Sequence, residues 1–487
     1  MMMNKIIYGC TLFVCAIFNL SAQTSLTNSN IKAAASLWIS DEAQAIATYG
    51  YISDWDVSNV THMQNIFWSA SSFDGDLSSW DVSNVTNMES MFVGASSFDG
   101  DLSSWDVSNV KNMYGMFRGA SSFDGDLSSW DVSNVTNMIR MFSGASYFDG
   151  DLSSWEVSNV TNMQSMFFNA SFFDGDLSSW DVSNVTHMGS MFFNASFFDG
   201  DLSSWDVSNV TNMQDMFNSV SSFDGDLSSW EVSNVTNMES MFSGAFSFDG
   251  DLSSWDVSNV KNMQDMFQSA SYFDGDLSSW DVSNVTSMQN MFESASSFDG
   301  DLSSWEVSNV KNMQNMFQSA SSFDGDLSSW DVSNVRIMTN FLTSASSFSN
   351  ENYNLFLNGI SKLDLKLNVH LQVSASYCDA VARQKIIDDF GWVIEDFGLD
   401  TACNYLSTGE YFDKTLTLYP NPAEGFVIVN TPLNATYTLY SIVGATLKSG
   451  ALNIGENLLD ISNLDNGLYL FKLNSEKGIA FKEIVKN

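Results

Sequence analysis

The chain has 487 residues and a formal net charge of −40, from 58 acidic and 18 basic residues. A protein this acidic repels phosphate backbones, so nucleic acid and anionic membranes are poor partners, whereas cations and basic protein surfaces are better ones. Hydrophobic residues make up 44% of the sequence and aromatic residues 14%, which argues against a disordered acidic chain and predicts a core to bury.

A secretory signal is predicted at the N-terminus. Lys5 supplies a positive charge, residues 6–20 are mostly apolar, and Ser21-Ala22-Gln23 offers a small-residue cleavage site. The apolar run is short and interrupted, and no later run reaches about 18 apolar residues, so we expect no transmembrane segment. We expect export, followed by removal of the signal.

Two short amphipathic segments come next. One helix is expected over residues 31–38, capped by Asn30, and a second up to Tyr49, capped by Ser40 or Asp41. We interpret the pair as an N-terminal cap, because the end of a repeat stack needs a cover against water.

A repeat of 25 residues fills the central part of the chain. One Trp recurs at this interval from Trp55 to Trp330, twelve times without insertion or deletion. A complete unit, residues 73–97, reads FDGDLSSWDVSNVTNMESMFVGASS. Self-similarity at such a period indicates stacked units, since no single unit can bury its own apolar side chains.

Two hydrophobic periodicities follow one another within each unit. Trp80 and Val82 alternate with polar residues, which predicts a short strand. Val85, Met88 and Phe92 then recur at three- and four-residue intervals, which predicts a short helix. We therefore expect an α/β repeat solenoid with a parallel sheet on one face, short helices on the other, and ladders of Trp, Val and Met as the core.

The string W-D-V-S-N-V-T-N-M-x-x-M-F-x-x-A-S-x-F, found between Trp55 and Phe348, resembles the BspA-type leucine-rich-repeat surface proteins of bacteria in their 25-residue form. The resemblance implies a leucine-rich-repeat-like solenoid and a role in adhesion or surface recognition. It brings no catalytic residues to this chain.

The period is lost after the last repeat, where a C-terminal cap is predicted. It includes a helix that begins after Asp379 and ends at Gly391. Cys378 and Cys403 bracket this helix and are the two Cys that remain once the signal is removed. Because exported proteins meet an oxidising environment, we expect a structural disulfide between them, with a redox switch as the alternative.

The composition changes from Lys414 onward. Pro appears, Trp and Met vanish, and short alternating runs separated by turns predict a small all-β sandwich. The Tyr419-Pro420-Asn421-Pro422 string, the segment from Leu464 to Tyr469 and the closing run from Lys482 to Lys486 resemble the C-terminal sorting domain of type IX secretion cargo. This resemblance implies a Bacteroidota-type export route with the secretion machinery as a partner. An ordinary adhesive sandwich domain is the alternative.

The predicted organisation has six parts, and we expect the mature protein outside the cell or on its outer surface. The parts are a signal peptide (1–23), an N-terminal helical cap (24–52), twelve solenoid repeats (53–348), a C-terminal cap (349–404), a linker (405–413) and a β-sandwich sorting domain (414–487).

The sequence offers no catalytic constellation. The three His are scattered, no candidate nucleophile has a neighbouring base, and every repeat presents the same carboxylate in the same setting. We expect no enzymatic activity and no cofactor, with calcium as the one open question.

That question arises from the acidic residue that follows each repeat Trp. These side chains are expected to point outward in a ladder at about 5 Å spacing, where neighbours repel. Solvation, raised pKa values or bound cations would each accommodate such a ladder. A solvated face that keeps the protein soluble is one interpretation and calcium binding the other. The candidate calcium ligands are Asp81, Asp106, Asp131, Asp181 and Asp206.

Positions that vary between repeats indicate where a partner docks. Three neighbouring repeats carry aromatic residues at such positions: Tyr147, Phe168, Phe172, Phe193 and Phe197. Exposed aromatic clusters are candidate binding hot spots, although local filling of a groove between coils would also explain them. The expected partners are host or bacterial surface proteins, or polysaccharides if the protein is a glycan-binding module.

Overall fold

A computed structural model of the protein describes residues 25–400, 416–431, 433–442, 445–475 and 478–487. The chain divides into two compact units, unit 1 (Met1–Trp205) and unit 2 (Asp206–Asn487), and each is described by itself. The predicted signal peptide and the predicted linker lie outside the described residues.

Two helices open the described part of unit 1. They are α1 (Ile31–Ser40) and α2 (Glu42–Tyr49), close to the predicted positions. The Asp41 side chain caps the first turn of α2, as expected. Asn30 does not cap α1, because its side chain accepts a hydrogen bond from the Thr27 N–H instead.

The two helices cover the core of the first repeat. The rings of Trp38 and Tyr49 meet Trp55 edge-on, at 5.9 and 6.0 Å between ring centroids. A short 3-10 turn, Ile52–Asp54, leads into the repeats. The aromatic contacts shield the first repeat Trp from water, which is the role of a cap.

The repeats of unit 1 form neither the predicted strand nor the predicted helix. Residues 80–82 are not in a strand, and residues 85–95 form a series of turns where the helix was expected. Successive repeats pair through single parallel bridges, such as the one between Asn87 and Asn112. Helices α1 and α2 of unit 1 precede its repeats.

Left-handed residues explain this correction. Ser90 and Gly94 have φ of 55° and 69°, and their counterparts in neighbouring repeats are also left-handed. The turns direct the N–H groups of every second residue from Met88 to Gly94 toward the next repeat, where carbonyls accept them at 2.7–2.9 Å. Since an α-helix needs those N–H groups for its own i to i−4 bonds, no helix forms.

Identical side chains stack in the core of unit 1. Neighbouring Trp rings from Trp80 to Trp205 lie parallel with centroids 6.4 Å apart. Each indole N–H is satisfied, as when Trp105 donates to the Leu77 carbonyl at 3.0 Å. With its one polar group paired, each buried Trp contributes its apolar area, about 2 to 3 kcal/mol. The predicted ladders are therefore core.

The glycine of each F-D-G-D turn is required by a close approach. A Cβ added at Gly100 would lie 2.8 Å from the ring of Phe98, which is too close for a side chain to be accommodated without movement. The same ring stacks on Phe92 at 4.2 Å between centroids. The ring therefore closes each unit by packing between the next turn and the core.

Unit 2 begins with repeats of the same kind, whose Trp rings also stack at 6.4–6.5 Å. The repeats end in a parallel sheet of β1 (Met338–Leu342), β2 (His370–Val373) and β3 (Val393–Glu395), paired in that order. Within the described residues, this three-stranded sheet is the extent of the predicted parallel sheet.

Helix α3 (Asn350–Ile360) contacts β1 through the rings of Phe356 and Phe341, and helix α4 (Ala380–Phe390) contacts α3. Helix α4 agrees with the prediction: the Asp379 side chain accepts bonds from the first-turn N–H groups, and Gly391 ends the helix with φ 68°. Cys378 is disulfide-bonded. Its predicted partner, Cys403, lies outside the described residues.

A buried polar network joins the parts of this cap. Arg383 Nε donates to the nearly buried Asp396 carboxylate at 2.7 Å, and the Tyr353 hydroxyl donates to the same carboxylate at 2.8 Å. Burial, followed by the Asp396 charge, raises the pKa of Tyr353 above its usual range. Every group in the network has a partner, so the network holds the cap together without leaving a free reactive group.

The C-terminal part of unit 2 is all β, as predicted. Its strands are β4 (Thr417–Tyr419), β5 (Phe426–Thr431), β6 (Ala435–Ser441), β7 (Thr446–Leu452), β8 (Gly455–Asp460), β9 (Gly467–Ser475) and β10 (Gly478–Lys486). They form two antiparallel sheets, with strand orders β10-β9-β6-β7 and β4-β5-β8, which share one apolar core that includes Val427, Leu439 and Phe471.

Candidate functional site

Most differences between repeats fall at four positions, which are residues 89, 90, 93 and 97 of the first full repeat and recur every 25 residues. They belong to the turns that carry the left-handed residues. Backbone hydrogen bonds join these turns in successive repeats, so copies of one position form a column. We call these four columns the variable columns.

Three aromatic side chains form an exposed column in unit 1. The rings of Tyr147 and Phe172 lie 5.3 Å apart at an interplanar angle of 8°, and Phe172 and Phe197 repeat this geometry. The three residues are 60%, 47% and 55% exposed. Phe172 has a ring against each of its faces, so its edge is the part exposed to solvent, whereas Tyr147 and Phe197 each stack on one side. We call these three residues the aromatic column.

Phe168 and Phe193 form a second stacked pair, with centroids 4.6 Å apart and an interplanar angle of 10°. Both are half-buried. Partner binding and local filling of a groove therefore both apply to this pair, since each ring packs within its turn and keeps part of its surface accessible. Five predicted partner-binding residues thus lie in two columns on adjacent repeats.

The predicted acidic ladder is exposed, and its aspartates find hydrogen-bond partners within their own repeats. The Asp81 carboxylate accepts the Ser83 N–H at 3.1 Å and the Ser83 hydroxyl at 2.6 Å. The other four candidate calcium ligands, Asp106, Asp131, Asp181 and Asp206, each accept at least the backbone N–H two residues later, at 3.0–3.1 Å. A local turn accounts for the D-x-S pattern.

For two of these aspartates, Asp106 and Asp181, the hydrogen bonds lower the pKa. The Ser108 hydroxyl, and then its N–H, lower the pKa of Asp106, and Ser183 does the same for Asp181. A second acidic column is formed by the Asp that follows the glycine of each F-D-G-D turn, such as Asp101. Ser103 lowers the pKa of Asp101, and repulsion from the neighbouring carboxylates raises it by a smaller amount. Raised pKa values, one of the three possible ways to accommodate the ladder, therefore do not apply to these aspartates, because hydrogen bonds to the charged form outweigh repulsion.

The candidate calcium ligands occur one to a repeat. Within the described parts of the chain, no group of three or more His, Cys, Asp or Glu side chains is placed to hold a metal ion. Calcium ordinarily takes six to eight oxygen ligands. Binding of calcium along the ladder stays a hypothesis.

Unit 2 has half-buried carboxylates in its variable columns that the sequence reading missed. Burial raises the pKa of Asp215, and burial followed by repulsion from Asp215 raises the pKa of Glu239. Nearby Asp265 adds to both shifts. Amide groups partner all three, as when the Asn262 side chain donates to Glu239 at 3.0 Å. These carboxylates could have been found from the sequence, because the residue type at their positions varies between repeats.

Five overlapping stretches of the chain match the family described as "Mycoplasma protein of unknown function, DUF285". They are residues 39–155, 102–199, 136–255, 173–279 and 247–356, which together span more than half of the chain. The chain belongs to this family. No curated protein matches it.

Residues 417–487 match the family described as "Secretion system C-terminal sorting domain". The predicted type IX sorting domain is therefore confirmed, and it directs this DUF285 protein to the cell surface or beyond. No helix in the described part of the chain has the length and apolar character needed to cross a membrane.

Two arginines in the DUF285 repeats of unit 1 also escaped the sequence reading. Arg118 is exposed and Arg140 is partly exposed, and both stand in variable columns. Neither has a carboxylate partner among the described residues. Because the chain as a whole has a net charge of −40, its composition gives no indication of two arginines in the variable columns that also hold the aromatic residues.

Proposed function

We propose that this exported repeat protein recognises a protein partner at a cell surface, in adhesion or surface recognition, through the aromatic column. The carrying observation is that Tyr147, Phe172 and Phe197 are exposed and stacked in three consecutive repeats. Ser97 and Ser122 occupy the same position in the preceding repeats. Large exposed aromatics that the fold does not require are typical of interaction hot spots.

We also propose that the stacked repeats are leucine-rich-repeat-like coils of the BspA type and that the signal peptide is removed on export. The parallel bridges and the Trp stacking between repeats support the first proposal. A positively charged start followed by an apolar run and a small-residue site supports the second.

The geometry of the rings favours a protein partner over the alternative, a glycan. Sugars bind aromatic side chains by lying against a ring face, and both faces of Phe172 are turned toward neighbouring rings. A protein partner can pack its side chains against the ridge of exposed ring edges. We further propose that the protein has no catalytic role, which the repetition of one carboxylate in one setting supports.

Selective treatment of the target cells distinguishes the two partners. Labelled protein is added to intact bacterial or host cells that have been treated with a protease, with periodate to oxidise glycans, or with buffer. We expect binding to buffer-treated and periodate-treated cells and its loss after protease treatment.

Loss of binding after periodate alone would support the glycan-binding function instead. Absence of binding to every cell and matrix sample tested, with and without calcium, would contradict surface recognition altogether.

A further inference from the structure

The unpaired arginines lie in the same set of columns as the aromatic residues. Arg118, Ser143, Phe168 and Phe193 occupy one variable column in successive repeats. Backbone hydrogen bonds link these turns, for example from the Gly144 N–H to the Phe168 carbonyl at 2.6 Å. Two repeats separate Arg118 from Phe168, about 10 Å at the spacing of paired strands.

Arg140 stands in the neighbouring column, and its carbonyl accepts the Ser143 N–H at 3.1 Å. The two guanidinium groups therefore come from the repeats that lead into the aromatic residues. Neither is needed by the fold, because other repeats have Ser at both positions, as at Ser143 and Ser165.

In the same stretch of unit 1, the variable columns lack carboxylates. From residue 112 to residue 199 the variable columns contain no Asp or Glu, in a chain with 58 acidic residues. Among the residues that the structure describes, neither Arg118 nor Arg140 has a carboxylate within ion-pair distance. Their charge is therefore available to a partner.

An exposed ring edge, like a guanidinium group, attracts anionic groups. The edge of an aromatic ring carries partial positive charge and its face partial negative charge. Phe172, which is stacked on both faces, presents its edge to solvent, so it too favours anionic oxygens beside apolar contacts. A guanidinium group adds paired hydrogen bonds to a carboxylate.

From this complementarity we propose that the aromatic column, together with Arg118 and Arg140, binds an extended acidic polypeptide segment with apolar side chains between its carboxylates. This inference rests on the proposed recognition of a protein partner and adds the charge and chemical class of that partner. Exposed aspartates also run through these repeats, as at Asp149 and Asp174, and they repel the carboxylates of the segment. The carboxylates are therefore expected beside the two arginines and the apolar side chains beside the rings.

The test uses the full-length protein and synthetic peptides in which Val alternates with Glu, Gln or Lys, with polygalacturonate as an anionic glycan. We expect the Glu peptide to bind and the Gln and Lys peptides to bind at least about fivefold more weakly. R118S/R140S should reduce binding of the Glu peptide to the level of the Gln peptide and weaken its salt dependence.

The matched control is K261T/K311T, which removes the same charge from unit 2 at positions where other repeats have Thr. It should leave peptide binding unchanged. Equal binding of the Glu and Gln peptides, no binding of the Glu peptide, stronger binding of polygalacturonate, or an unchanged affinity in R118S/R140S would overturn the inference.

Cell binding by the same variants separates this inference from the proposed function. If Y147S/F172S/F197S loses cell binding while R118S/R140S retains all of it, the partner is not acidic and surface recognition stands. If all variants bind cells equally, both proposals fail.

Discussion

The repeats of the two units bury the same residue types and differ in the residues of their variable columns. Between residues 112 and 199, the variable columns of unit 1 hold six aromatic residues, two arginines and no carboxylate. Between residues 212 and 322, those of unit 2 hold four carboxylates, many amides and one aromatic residue, Tyr272. The stacked Trp rings have nearly the same spacing in both. The core residues therefore determine how the repeats stack, and the residues of the variable columns can change without altering the stacking.

The largest expected effect tests whether the cores are equivalent. Trp155→Ala in unit 1 and Trp280→Ala in unit 2 each remove a buried ring whose N–H is bonded at 3.0 Å. Each should lower the free energy of unfolding by about 3 to 5 kcal/mol, as measured by denaturant titration. A cost confined to one of the two variants would show that the cores differ.

Acidification should act on both units. Hydrogen bonds from serine hold the pKa of Asp106 and Asp181 in unit 1, and of Asp251 and Asp281 in unit 2, below the usual value. A lowered folded-state pKa contributes stability above the ordinary aspartate range, and this stability is lost as the pH falls through the folded-state pKa. The melting temperature should therefore decrease when the pH is lowered below about 4. S108A/S183A should reduce this loss in unit 1, and an unchanged pH profile would argue against the Asp–Ser turns.

A smaller effect should be specific to unit 2. Burial raises the pKa of Asp215 and Glu239, so protonation favours the folded state and stability from these groups declines as the pH rises through their raised pKa values. Asp215→Ser, which copies Ser240, should raise the melting temperature at pH 7 by roughly 1 to 3 °C. The gain should vanish in acid, where Asp215 is protonated. A gain that persists there would need another cause.

The smallest expected effect concerns divalent cations. If calcium acts on the acidic columns only by screening repulsion, calcium and magnesium should raise the melting temperature alike, by about 1 °C. The comparison is a thermal melt in millimolar calcium, in magnesium and in chelator. A rise with calcium alone would indicate a true site, and identical melts would remove the calcium hypothesis.

The sequence predicted the period, the buried ladders, the outward-facing acidic residues and the C-terminal β region, because each follows from which residues are repeated. It mispredicted the secondary structure of the unit. The three- and four-residue spacing of Val85, Met88 and Phe92 suits a helix, but the same spacing arises in turns stacked on a neighbouring repeat. The positions of Ser90 and Gly94 are often Gly, Asn, Asp or Ser in the repeats. Gly, Asn and Asp tolerate a left-handed backbone best, so this pattern could have predicted turns instead of a helix.

The candidate site was predicted in part for a related reason. Aromatic residues at variable positions stand out in a list of repeats, so the two aromatic columns could be found. Arg118 and Arg140 differ from their counterparts in the same way, but the overall charge of −40 directed attention to carboxylates. Whether an arginine has a carboxylate partner depends on the folded chain, and the sequence alone does not show it.

Cell binding by two matched variants tests the central claim most directly. Y147S/F172S/F197S removes the aromatic column, and F246S/Y272S removes two exposed aromatics of unit 2, with Ser standing at these positions in other repeats. Both should fold like the parent protein, as judged by thermal melting. The account predicts that the first variant loses binding about tenfold or more and that the second binds normally. Equal binding by both variants, or a loss confined to the second, would contradict it.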